Sequence, residues 1–102
     1  MINKVILIGR LGKDPVVKHF QNDNAIAEFS LATTENYKDR EGKWQEITDW
    51  HNIKVPNKFM AERAEKNLRK GSQVYIEGKL RTRSYDDKDG NKRYVTEVVV
   101  EQ

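Results

Sequence analysis

Residues 3–10, NKVILIGR, alternate with a period of two, and both sets are apolar: Val5 and Leu7 on one side, Ile6 and Ile8 on the other. A strand apolar on both faces is covered on both. One face lines a core, and the other needs a cover such as a second subunit. GKDP turns the chain, VVKHF is a short continuation, and QNDN is a loop. Residues 25–34 read as a second strand, with Ala27, Phe29 and Leu31 opposite Glu28 and Ser30. Residues 35–46 are charged and aperiodic, and are expected to form a long loop, beyond the ~2–5 residues usual for hairpins. Residues 47–55 form a third strand, ended by Pro56. Ile53 and Val55 face the core, which leaves Thr48, Trp50, Asn52 and Lys54 on the wet face.

Met60, Ala64 and Leu68 recur at four-residue spacing and predict a helix over residues 58–69. Asn57 stands at the N-cap. Lys66, Arg69 and Lys70 crowd the last turn before Gly71, as a helix end prefers. Residues 72–83 are a fourth strand, with Val74, Ile76, Gly78 and Leu80 facing away from Tyr75, Glu77, Lys79, Arg81 and Arg83. DDKDGNK is a hairpin tip turning at Asp89-Gly90, and residues 94–100 are the fifth strand. The order predicts a mainly β fold: an OB-fold, a five-stranded Greek-key barrel with one helix between strands three and four. It fills residues 1–102 as a single domain.

Composition narrows the function only slightly. The 102 residues suffice for one domain, and a domain so small gains from oligomerisation. There is no cysteine, hence no disulfide framework or thiolate metal site. No signal peptide or membrane span is visible, so a cytoplasmic protein is expected. The net charge of +3 leans mildly toward polyanions.

No enzymatic constellation stands out. The two histidines, His19 and His51, have no nucleophile partner, and no glycine-rich phosphate loop or metal-ligand spacing is present. No metal or cofactor is expected, and Asp86, Asp87 and Asp89 read as a solvated tip rather than a calcium loop. The aromatics say more. Tyr37 and Trp44 lie in the charged loop, Tyr85 and Tyr94 flank the second hairpin, and Trp50 is on a wet face. Lysines and arginines surround them, with Lys54, Arg81, Arg83 and Arg93 the expected phosphate contacts. Rings among cations, gathered on one side of a barrel, suit single-stranded nucleic acid, because every base offers a π-face for stacking. The bland alternatives are packing for Trp50, Trp44 and Tyr94, and pairing of Arg81 and Arg83 with Asp86 and Asp87.

The segments NKVILIGRLGKDP, FSLATTE, TDWHNI, LRKGSQVYIEGKLRTRSY and DKDGNKRYVTEVVV resemble the bacterial-type single-stranded DNA-binding protein (SSB) family over nearly the whole chain. The resemblance implies an OB-fold, a homotetramer and sequence-independent binding of single-stranded DNA in replication, recombination and repair, in the cytoplasm with the nucleoid. It assigns base stacking to Tyr37, Trp50 and Tyr85. A fourth stacking position falls at Pro56-Asn57, where Phe59 or Trp44 are the candidate replacements. It assigns subunit contacts to His51, Gln73 and Tyr75, with the first strand pairing across a dimer. Family members usually continue into an acidic tip that recruits replication and repair proteins. This chain stops at Gln102, so such partners are expected only if the full-length protein carries that tail. Two rivals stand beside this reading: an RNA-binding OB module, and a protein scaffold that leaves the outward rings unused.

Overall fold

The structure, a computed structural model, describes residues 1–101. Six strands and one helix follow in the order β1 (Val5–Leu11), β2 (Val16–His19), β3 (Ala25–Lys38), β4 (Trp44–Val55), α1 (Lys58–Asn67), β5 (Gln73–Asp86) and β6 (Lys92–Val100). The sheet runs β1-β5-β6-β4-β3-β2, and a further β1–β3 pairing closes it. The result is a closed five-strand barrel with one helix, with β2 added on the flank of β3.

β1 makes the closure. It pairs with β5 from Val5↔Gly78 to Arg10↔Gln73, then passes to β3 at Arg10↔Ala32 and Leu11↔Leu31. Such a tight change of partner needs bare backbone. A methyl group on Gly9 would lie 2.3 Å from the Ala32 carbonyl oxygen, and one on Gly78 would lie 2.1 Å from that of Val99. The mid-strand Gly78 therefore marks a close strand approach.

The core takes alternate residues from each strand. Ala25, Ala27, Phe29 and Leu31 of β3 are buried, with Ile53 and Val55 of β4 and Val98 and Val100 of β6. Helix α1 closes one end of the barrel with two small residues, Ala61 and Ala64, which let its backbone come near the strands. The Asn57 side chain accepts hydrogen bonds from the Phe59 and Met60 amides, a cap worth ~1 kcal/mol. At the far end the Arg69 guanidinium donates to the carbonyls of Glu65 and Leu68. Gly71 (φ +88°) then adopts a left-handed turn, and its amide donates to Leu11.

Two sequence expectations need correction. VVKHF does not continue β1: Val16–His19 is a separate strand, paired antiparallel with β3 from Val16↔Glu28 to His19↔Ala25. The helix consequently lies between the fourth and fifth strands. Four residues after a proline turn, three of them exposed, carry too little pattern to reveal a strand. The second correction is larger. Residues 35–46 are not a long loop, because the β3–β4 ladder runs unbroken to Lys38↔Trp44 and leaves only residues 39–43 as a turn. Beyond Thr33 the two strands leave the core and form a projecting arm. Both faces of the arm are wet, so no apolar period marks it.

The β5–β6 hairpin forms a matching arm, laddered to Asp86↔Lys92. Each arm is joined near its root by a threonine pair, Thr34–Thr48 and Thr82–Thr96, with hydroxyls 3.1 and 2.9 Å apart. The same turn closes each. Asp39 Oδ1 accepts from the amides of Glu41 and Lys43, and Asp87 Oδ1 accepts from those of Asp89 and Asn91. Gly42 and Gly90 supply the positive φ.

Candidate nucleic-acid interface

Strand alternation sorts the candidate residues by face. Ile53 and Val98 are paired in the core, so their neighbours Lys54 and Val99, also paired, point outward. Trp44, Trp50 and Asn52 share the parity of Lys54 on β4. On β5, Arg81, Arg83 and Tyr85 share the parity of Lys79, which pairs with Val99. Trp44, Trp50, Lys54, Arg81, Arg83, Tyr85 and Arg93 therefore occupy one outer surface. It spans both arms and an open groove lined by Ser30, Asn52, Val95 and Glu97, with Lys13 and Lys18 at the edge.

Trp50 is 61% exposed, so it is not a core residue. Its ring lies across Gly12, flanked by Lys13 and Ser30. Trp44, 71% exposed, stands on the same face farther along the arm. The Lys38 ammonium lies 5.7 Å from its ring centroid, a cation–π contact. Tyr85 is 48% exposed, with the Arg83 guanidinium 6.0 Å from its centroid.

Tyr37 is not on this surface. It pairs with Gln45, whereas Lys38 pairs with Trp44, so Tyr37 emerges on the opposite face of the arm. Tyr94, opposite Ser84, likewise takes the reverse face of the second arm. The rings are divided between two faces rather than gathered on one, a consequence of the continuous register that a loop reading of residues 35–46 hides.

The cations also divide. Arg81 is exposed and Lys54 half-buried, and neither forms an ion pair among the described residues. Arg83 Nε donates to Glu97 Oε1 at 3.0 Å, and Arg93 Nε to Asp87 Oδ2 at 2.9 Å. The bond from Arg93 and the turn amides hold the Asp87 carboxyl below its ordinary value. The alternative pairing of Arg81 and Arg83 with Asp86 and Asp87 does not form among the described residues. Gly12, Lys13 and Glu97 line this surface without having been singled out in the sequence, beside Asn52 of the predicted wet face. Period-two counting places Asn52 and Glu97 outward, but nothing in the sequence signals that Glu97 is enclosed. At Pro56-Asn57, the Asn57 side chain is spent on the helix cap. Phe59 is exposed on the first turn, with the Lys58 ammonium 5.8 Å from its ring.

The subunit-contact candidates lie elsewhere. Gln73 and Tyr75 are on the outer face of β5 and pair with Arg10 and Ile8 of β1. Ile6, Ile8 and Tyr75 are all exposed there, forming an apolar patch. The Tyr75 hydroxyl donates to the Glu77 carboxylate, which raises the phenol's pKa. His51, half-buried on the opposite face of β4 from Trp50, places Nε2 2.8 Å from the Thr33 hydroxyl.

Residues 2–102 match the model of the single-strand binding protein family. The chain belongs to this family. Its barrel is similar to a solved structure described as a Plasmodium falciparum SSB complex with ssDNA. That match has 37% identity and a TM-score of 0.87, over 97% of this chain and 86% of the other. Single-strand binding proteins are binding proteins and not enzymes. Among the described residues no His, Asp and Glu cluster is arranged to hold a metal ion, and no helix is long and apolar enough to cross a membrane.

Proposed function

We infer that this protein binds single-stranded DNA irrespective of sequence and protects it during replication, recombination and repair. The observation that carries this reading is the outer surface on which exposed Trp44, Trp50 and Tyr85 stand among Lys54, Arg81 and Lys38. Stacking is worth ~1–3 kcal/mol per base, and cations track the phosphates without reading bases. Family membership and likeness to a protein solved with single-stranded DNA support the same conclusion.

Finer assignments belong to this proposal. The barrel is an OB-fold with Greek-key connections. Trp50, Tyr85 and Trp44 stack bases on the outer surface, and Tyr37 stacks from the reverse face of its arm. A strand touching both sets must cross the arm's edge. Lys54 and Arg81, unpaired among the described residues, are the foremost phosphate contacts. The Ile6, Ile8, Tyr75 and Gln73 patch and His51 are subunit contacts in a homotetramer that works in the cytoplasm on the nucleoid. Replication and repair proteins are partners of the full-length protein if it carries an acidic tail.

Titration with oligothymidine, following tryptophan fluorescence, tests the reading. Saturable quenching is expected, with much weaker binding of duplex of equal length. Equal affinity for duplex, or preference for an RNA oligonucleotide, would overturn it.

A further inference from the structure

Glu97 is the buried charged residue of the described chain, 7% exposed, and it lines the groove proposed for a polyanion. A carboxylate there is doubly unfavourable: it loses hydration and it repels phosphate. Its partner accounts for its place. Arg83 donates from Nε to Glu97 Oε1 at 3.0 Å, and its guanidinium lies 6.0 Å from the Tyr85 ring centroid. Arg83 and Tyr85 are two positions apart on one strand face. In the ladder Arg93 pairs directly across from Tyr85 and is itself held by Asp87. Tyr85 thus has an arginine along its own strand and another across the ladder, each tethered to a carboxylate.

We propose that Glu97 and Arg83 are positioning residues for the Tyr85 stacking platform, and that Arg83 is not a phosphate contact. Glu97 neutralises Arg83 and fixes the direction of its side chain. The fixed guanidinium orients the tyrosine ring before a base arrives, so less ordering remains to be done on binding. This inference rests on the single-stranded DNA reading, and the two fail in different experiments.

The test is oligothymidine binding across a salt series by the full chain and its variants, with circular dichroism confirming the fold of each. Removing a phosphate contact flattens the log affinity–log salt slope by about 0.7 on a single strand. Arg81→Met is expected to show that loss, and Arg83→Met to weaken binding with its slope unchanged. Tyr85→Ala should weaken binding by roughly 5- to 150-fold, the equivalent of one stacked base. In the Tyr85→Ala background, Arg83→Met should add no further loss, because residues acting as one unit are not additive. Glu97→Gln, nearly isosteric, releases the arginine's charge and should steepen the slope while weakening binding. Should that variant unfold, the Arg83 and Tyr85 cycle decides alone. An Arg83→Met slope falling as far as that of Arg81→Met, or full additivity with Tyr85→Ala, overturns the assignment. Failure of the unaltered protein to bind oligothymidine sinks the functional reading itself.

Discussion

The indole of Trp50 lies so close over Gly12 that a methyl group on the glycine would stand 2.4 Å from its Cζ3. The bare backbone of Gly12 is therefore the floor on which the ring rests. A contact this near leaves no room for any other residue without moving the ring. Gly12→Ala should displace the indole, change its emission and weaken oligothymidine binding. The melting temperature should hardly change, because the crowded atoms are the far edge of an exposed side chain. A large loss of stability with unchanged affinity would mean that the contact serves packing.

Trp50→Ala should weaken oligonucleotide binding by ~1–3 kcal/mol, one stacking contact, and leave both melting temperature and assembly nearly unchanged. Two tryptophans share the fluorescence signal, so the comparison belongs in a Trp44→Phe background. Quenching by DNA should persist in that background and diminish sharply once Trp50 is removed.

Affinity should fall as salt rises, with a slope near −0.7 for each phosphate neutralised. Lys54→Met and Arg81→Met should each flatten that slope by one phosphate's worth. Binding isotherms at four or five salt concentrations measure it, and a slope indifferent to both substitutions would remove these residues from the DNA path.

Light scattering should give a mass above the monomer at micromolar concentration, because Ile6, Ile8 and Tyr75 leave an apolar patch on the β1–β5 face. Ile8→Glu puts a charge into that patch and should yield a folded monomer. A monomer from the unaltered chain would reject assembly through this face.

The twin turns predict acid sensitivity at the arm tips. Amides of the turn, that of Lys43 foremost, with the Gln45 side chain hold the Asp39 carboxyl below its ordinary value. Asp87 is lowered from the same value, chiefly by Arg93. Both carboxylates are depressed in the fold. Their contribution is complete above the unfolded value and disappears as pH falls through the folded one. NMR titration of the Lys43 and Asn91 amide shifts should give midpoints below the ordinary aspartate value. Midpoints at or above that value would contradict the turn geometry. Asp39→Ala should loosen its own tip without disturbing the barrel.

The barrel was legible in the sequence wherever one face is buried. Ala27, Phe29 and Leu31, or Ile53 and Val55, announce their strands because water is excluded on one side only. The helix was equally plain, since Asn57 and the residues behind it satisfy the requirements of a cap. The first arm was opaque because both faces of Glu35 and Glu46 meet water, and hydrogen bonding between backbones leaves no mark on side-chain choice. This decided the ring assignments. Trp50 was correctly read as outward from Ile53 and Val55, while the separation of Tyr37 from it depends on a register that only the ladder reveals. The burial of Glu97 and the contact of Gly12 with Trp50 join residues distant in sequence, and local patterns cannot report them.

The pairing of β1 with β5, Val5 with Gly78, also orders events in time. β1 is synthesised well before its chief partner, and its link to β3 spans only two residue pairs. Contacts so distant along the chain form slowly. Until β5 emerges, the VILIG stretch is an unpaired apolar edge, open to strands of other chains. The strand that closes the barrel thus waits longest for its chief partner, and a translation pause ahead of residue 73 would lengthen that exposure.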